Sequence, residues 1–134
     1  MKRPLYLLDS YAIIYRSYFA FLYRPLRNPA GQNVSAVFGF FRFLFGLFQE
    51  RNPPAFAAVF DSIGPTFRHE MYLEYKATRQ KTPEDLHAQV PLVEEILDAL
   101  KVPRLRAEGF EADDVIATLA TQCQAEGREC WIVS

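Results

Sequence analysis

Residues 55–61 read Ala-Phe-Ala-Ala-Val-Phe-Asp, an unbroken apolar run that ends on an acid. A strand with one wet face would alternate apolar and polar residues, so a run without alternation fits a strand covered on both faces, as in a parallel sheet. We expect a strand from Phe56 to Phe60 with Asp61 at its exit. The same arrangement opens the chain, where Leu5-Tyr6-Leu7-Leu8 is closed by Asp9. Between the two runs, a loop from Arg24 to Gln32 carries Pro25, Asn28-Pro29 and Gly31. Asn33 or Ser35 can cap a long apolar helix that ends near Glu50, and Asn52-Pro53-Pro54 stops it.

Downstream, Phe67 to about Arg79 reads as a polar helix. Thr82-Pro83-Glu84-Asp85 has the cap, proline and acids of a helix start, and that helix is expected to run to Leu100 with Val90, Val93, Ile96, Leu97 and Leu100 inward. Val102–Leu105 is a third strand, Glu111 to about Glu126 a helix with Val115, Ile116, Leu119 and Ala120 inward, and Glu129–Val133 a fourth strand. This alternation predicts an α/β fold, a parallel sheet flanked by helices, with ligands beyond the carboxyl ends of the strands.

Composition limits the function. With half of its 134 residues apolar the chain can bury the core of one domain, and a formal charge of −1 gives no overall cationic field for nucleic acid. Cys123 and Cys130 have no metal-ligand spacing and read as small, reduced core residues, as does Trp131 as a core aromatic. His69 and His87 are isolated and read as surface or cap residues. The opening residues reach a charge too early for a secretory signal, and the aromatic run Ala36–Phe48 is interrupted by Arg42 and too short to span a bilayer. A cytoplasmic protein without membrane contact is expected.

The two strand-end acids, more than fifty positions apart, should converge at one sheet edge. Gly109-Phe110-Glu111-Ala112-Asp113-Asp114 adds three more acids at a helix start. Like charges crowded together need a cation, and an oxygen-only set without His or Cys suits Mg²⁺ or Mn²⁺. Two such ions can activate water and stabilise the leaving oxygen in phosphodiester hydrolysis, so no nucleophilic side chain is required. Each acid also has a structural role open to it: Asp9 as a helix cap, Asp61 as a turn residue, and Glu111, Asp113 and Asp114 as acids favoured by a helix dipole.

On the helix that begins near Phe67, Arg68, Tyr72, Tyr75, Lys76 and Arg79 recur at spacings of three and four, a strip of cations and stacking rings suited to a nucleic-acid strand. Pairing of these cations with Glu70 and Glu74 on a solvated face is the equal alternative. Tyr15-Arg16 offers a second stacking and cation pair, with Tyr15 equally suited to a core.

Taken together, Leu7-Leu8-Asp9-Ser10, the following Tyr15-Arg16, the stretch from Val59 to Asp85 and Gly109–Ala120 resemble the 5′-nuclease domain at the start of bacterial DNA polymerase I, in the flap endonuclease superfamily. The resemblance runs along essentially the whole chain. It implies a PIN-like, Rossmann-like fold and two-metal hydrolysis, with one or two ions here, of DNA flaps, nicks and RNA–DNA primer junctions in replication and repair. It implies metal-site roles for Asp9, Asp61, Glu111, Asp113 and Asp114, some direct and some through water. Arg68, Tyr75, Lys76 and Arg79 fall in the segment resembling the helical arch, where Lys76 and Arg79 would act on the scissile phosphate, and Tyr15 and Arg16 match residues near the bound strand. Further acids and a duplex-gripping helix-hairpin-helix are implied beyond Ser134. Residues 1–134 are therefore expected to form the N-terminal part of one domain, with weak or absent turnover and an exposed sheet edge prone to self-association. A non-catalytic DNA-binding piece is the rival reading. A phosphotransferase with Asp9 as nucleophile fits less well, because Asp9-Ser10-Tyr11 lacks a second aspartate two positions on.

Overall fold

The unbroken apolar runs do pair side by side. Strand β1 (Leu5–Asp9) lies parallel to β2 (Ala55–Val59), with Leu5 opposite Ala55 and Asp9 opposite Val59. The computed structural model describes residues 2–62 and 83–134. The short β3 (Arg104–Leu105) extends the sheet beside β2, and β4 (Cys130–Val133) extends it beside β1, giving the all-parallel order β3-β2-β1-β4. The chain steps outward from β1 through β2 to β3, then returns to the far side of β1. The reversal lies between β1 and β4, where a crevice opens at the carboxyl ends of the strands of such sheets.

Period-two alternation divides the strands between two cores. Leu8, Ala58 and Phe60 face helices α1 (Ser10–Ala20), α2 (Ser35–Arg51), α3 (Glu84–His87) and α4 (Val90–Ala99), which supply Ile13, Ile14, Phe40, Leu44, Leu86, Val93 and Leu97. Leu7, Ala57 and Val59 face α5 (Ala112–Ala125), which supplies Ala112 and Ile116. Removing a large apolar side chain from water contributes about 1.5–3 kcal/mol, so the face bearing four helices carries most of the apolar stabilisation. Helices α1 and α2 approach closely at Gly39, where an added Cβ would lie 2.4 Å from the Ser17 Cβ.

The start of α2 is fastened from a distance. The N-cap position is Val34, without a side-chain cap, rather than Asn33 or Ser35; Asn33 Oδ1 accepts from Ser35 N at 3.0 Å just before it, and Ser35 Oγ accepts from Leu26 N at 2.8 Å. The buried Gln89 places its Oε1 against Ala36 N at 2.8 Å and Val37 N at 3.2 Å, and its Nε2 donates to the Asp85 carbonyl at 3.0 Å. Two orphan N–H groups of one helix are thus satisfied by a side chain more than fifty residues away. At its other end α2 stops at Asn52, which turns into the left-handed region at φ 43°.

Several expectations are corrected. The helix predicted from Pro83 to Leu100 is two helices, because Pro91 has no N–H for the carbonyl of residue 87 and its ring would clash there. Its inward stripe is narrower than predicted: Ile96 and Leu100 are exposed, and Ile96 lines a shallow groove with Val37, Phe38, Phe41 and Phe45. The aromatic helix is accordingly buried on one face only, with Phe45 54% exposed. Trp131 is not core but 41% exposed, because β4 is an edge strand among the described residues; its ring stacks on Tyr6 of the neighbouring strand at 5.8 Å, under the Arg51 guanidinium. Cys123 is buried and Cys130 half-buried, where burial and the neighbouring Cys123 raise the Cys130 thiol pKa. No described helix is long and apolar enough to cross a membrane.

Replacing Gln89 with Met keeps the volume but removes the acceptor for two buried N–H groups. Gln89→Met should cost about 1–3 kcal/mol, read as a lower urea midpoint at unchanged slope; an unchanged midpoint would mean that the distant cap does not hold α2.

Candidate metal centre

The register places the acids. Asp9 is the last residue of β1 and stands opposite Val59, so Asp61 lies two positions past its partner on the neighbouring strand. Leu7 and Val59 both face α5, and two-residue alternation carries Asp9 and Asp61 toward that same face. The contacts agree for Asp61, whose Oδ1 accepts from Ala112 N, the first residue of α5, at 2.6 Å. Ser62 continues the junction: its N–H donates to the Phe110 carbonyl at 3.1 Å, and its Oγ accepts from Gly109 N at 3.0 Å. Gly109 has φ 82°, a left-handed turn suited to glycine, and it aims the chain into α5.

Asp9 has the structural role open to it as well as the site position. It is the N-cap of α1, with Oδ1 accepting from Ala12 N at 3.4 Å, at the long end of hydrogen-bond geometry. Burial raises its carboxyl above the usual aspartate value, and the charges of Asp113 and Asp61 raise it further, against the bonds from the Ala12 and Tyr11 backbone. Asp113 and Asp61 are therefore each within electrostatic reach of Asp9. Asp113 is exposed in the first turn of α5. Glu111 is buried at the N-cap of that helix, and Asp114 reaches back with Oδ2 to Glu111 N at 3.0 Å, so these two acids order the helix start.

This arrangement fits a hard divalent cation in its donor chemistry: three carboxylates, no His or Cys between them, and one held protonated more readily by its surroundings. It is an open set. Among the described residues no three ligating side chains already close around one point.

Residues that the sequence reading did not single out hold the frame. Arg106 Nε donates to the Asp61 carbonyl at 2.8 Å, and Glu94 receives Arg106 and Arg104. An arginine in a weak strand and a glutamate on a helix gave no pattern that would join them. Tyr15 is 46% exposed rather than core, leaning on Phe19 with ring centroids 4.6 Å apart. Arg16 sits over the Phe43 ring and lines an open groove of about 730 Å³ between α1 and α2 with Arg42 and Arg51. His87 is exposed, as expected. Arg68, His69, Tyr72, Tyr75, Lys76, Arg79 and the Thr82 cap lie outside the described residues.

The raised Asp9 pKa has a definite sign. A carboxyl whose folded value exceeds its unfolded value contributes stability below the unfolded value and loses it as pH rises through the folded one. Without divalent ions, Asp9→Asn should therefore unfold at a higher temperature than the parent near neutrality, with the gap closing below about pH 4. Thermal melts from acid to neutral pH measure it, and a gap independent of pH would refute the assignment.

Residues 4–134 match the family described as 5′-3′ exonuclease, N-terminal resolvase-like domain. The chain is 57% identical over 133 residues to DNA polymerase I of Treponema pallidum (strain Nichols), covering 99% of this chain and 13% of that protein. It is 39% identical over 132 residues to a 5′-3′ exonuclease of Aquifex aeolicus (strain VF5), covering 98% of this chain and 45% of that protein. Its fold is similar to that of a T5 flap endonuclease in a pseudo-enzyme-product complex with DNA and metal ions, at TM-score 0.72 and 20% identity over 98% of this chain and 48% of that one. The acids at the strand exits and the Gly109–Asp114 helix start thus sit in a recognised frame, and the chain belongs to the N-terminal resolvase-like domain family of the 5′-3′ exonucleases.

Proposed function

We propose that this chain forms the acid-bearing part of a 5′-nuclease that hydrolyses phosphodiester bonds in DNA at 5′ flaps and nicks and at RNA–DNA primer junctions. The observation that carries the proposal is that Asp61, past the end of one parallel strand, and Asp113, at a helix start, both act electrostatically on Asp9 at the end of the neighbouring strand. Asp9, Asp61 and Asp113 would hold Mg²⁺ or Mn²⁺, with Glu111 and Asp114 supporting the set directly or through water. When bound, such an ion supplies Lewis acidity and neutralises charge that develops on the phosphate. Asp61 is tied through Oδ1 to α5 and through its carbonyl to Arg106. Tyr15 and Arg16, on α1 beyond Asp9, are proposed to stack on a base and to attract phosphate. Lys76 and Arg79, with Arg68 and Tyr75, are proposed as the groups that meet the scissile phosphate and the 5′ strand.

Asp61 and Asp114 already accept backbone hydrogen bonds, which favours as a second reading a piece that binds branched DNA without cutting it. One experiment separates the two. A labelled 5′-flap duplex is incubated with Mg²⁺ and the parent chain or Asp113→Ala, and salt-dependent DNA binding is measured on the same samples. Nuclease function predicts cleavage that falls by about 10–100-fold or more in the variant and stops with chelator. Binding lost on Lys76→Ala with Arg79→Ala, and no cleavage by either form, would select the second reading.

A further inference from the structure

Asp61 occupies a position that its own strand does not secure, since β2 ends at Val59 and the acid lies two residues beyond the last described ladder pair. Its neighbours are held by the Phe60 N–H to the Leu105 carbonyl and by Ser62 to Phe110 and Gly109, which leaves the Asp61 carbonyl itself to be fixed. Arg106 is placed to do so. It follows β3 by one residue, and its Nε donates to the Asp61 carbonyl at 2.8 Å while its guanidinium lies over the Phe60 ring, 5.4 Å from the centroid. The other side of the guanidinium is taken by Glu94 of α4, with Nη2 to Oε1 at 2.6 Å and Nη1 to Oε2 at 3.4 Å. Glu94 is itself braced by Arg104 Nη1 at 3.0 Å, and Arg104 makes a two-point bond to Asp98 at 2.8 and 2.9 Å.

The order of these links gives a direction of support. Asp98 and Glu94 stand one helical turn apart on α4; Arg104 reaches both, Arg106 reaches Glu94, and Arg106 continues to Asp61. The Glu94 and Arg106 side chains are 16% and 24% exposed, so this pair is less screened than a surface ion pair and can hold one geometry. Planar guanidinium geometry suits the task, because one edge grips a carboxylate while Nε remains for the carbonyl.

We propose that Arg106, held by Glu94, is a positioning residue for the metal site: it fixes the Asp61 main chain so that the carboxylate is presented to the cation. The inference rests on the reading of Asp61 as a metal-holding acid. Partners of ligating carboxylates typically set metal affinity by about 10–100-fold, which gives the size of the effect.

The test is equilibrium Mn²⁺ binding by this chain, read from the electron paramagnetic resonance of free Mn²⁺, beside a thermal melt of each variant. Arg106→Met should weaken Mn²⁺ binding about 10-fold or more at temperatures where it is fully folded. Arg106→Lys, which keeps a donor and a charge, should recover part of that loss, and Glu94→Gln should weaken binding by a smaller factor than Arg106→Met. A lower melting temperature with Mn²⁺ affinity equal to the parent would make Arg106 merely structural and overturn the proposal. If Arg106→Met does not fold, the Lys and Gln variants decide in the same way: parental affinity in both overturns it. Asp61→Ala is the control. Lost binding there with unaltered binding in the Arg106 and Glu94 variants refutes the positioning role alone, whereas parental binding in Asp61→Ala refutes the metal reading and the inference with it.

Discussion

The parallel pairing of β1 with β2 is the constraint on which the site depends. Parallel strands send their carboxyl ends the same way, so two runs far apart in sequence deliver Asp9 and Asp61 to one edge. The register sharpens this. Asp9 opposite Val59 puts both acids on the α5 side, and a slip of one residue would turn one of them toward the four-helix face instead. The right-handed return of the chain through α5 to β4 then places the start of α5, with Asp113, above the same edge.

Gathering these acids has an electrostatic cost that the fold offsets only in part. Two helices, α1 and α5, begin at the site, and each helix N-terminus favours a nearby anion by about 0.3–1 kcal/mol. Like charges a few ångströms apart near a protein surface repel by up to about 4 kcal/mol. The dipoles are the smaller effect; burial is the first cause of the raised Asp9 pKa, and the Asp113 and Asp61 charges add to it. In the proposed site a divalent cation would supply what the helix termini do not.

Much of this was legible in the sequence because the signals were local. Unbroken apolar runs closed by Asp9 and by Phe60-Asp61 can hardly be read otherwise, and Gly109 before Glu111-Ala112-Asp113-Asp114 marks a turn into a helix start. What escaped depends on tertiary partners. Pro91 was itself a signal for a break in the expected helix, but the inward turn of Gln89 toward α2 beside it depends on a distant partner. Trp131 is apolar in composition but lies on an edge strand, a fact of strand order. The link from Asp98 through Glu94 to Arg106 joins a helix to a loop beyond a two-residue strand, with no periodicity to announce it.

The described residues on either side of positions 63–82 are fastened by polar bonds. Ser62 is held to Phe110 and Gly109 beside the acids. Beyond Pro83, Asp85 accepts from Tyr18 Oη at 2.7 Å and from Asn33 Nδ2 at 3.0 Å, and Gln89 caps α2. The Tyr18 bond lowers the Asp85 pKa, against partial burial, so this anchor contributes stability above the ordinary aspartate range and loses it as pH falls through the lowered value. Asp9 has the opposite sense: its ionisation costs stability, and protonation relieves it. Near neutral pH the anchor is therefore complete while the acid site is at its most repulsive, which is the condition under which a cation gains most by binding.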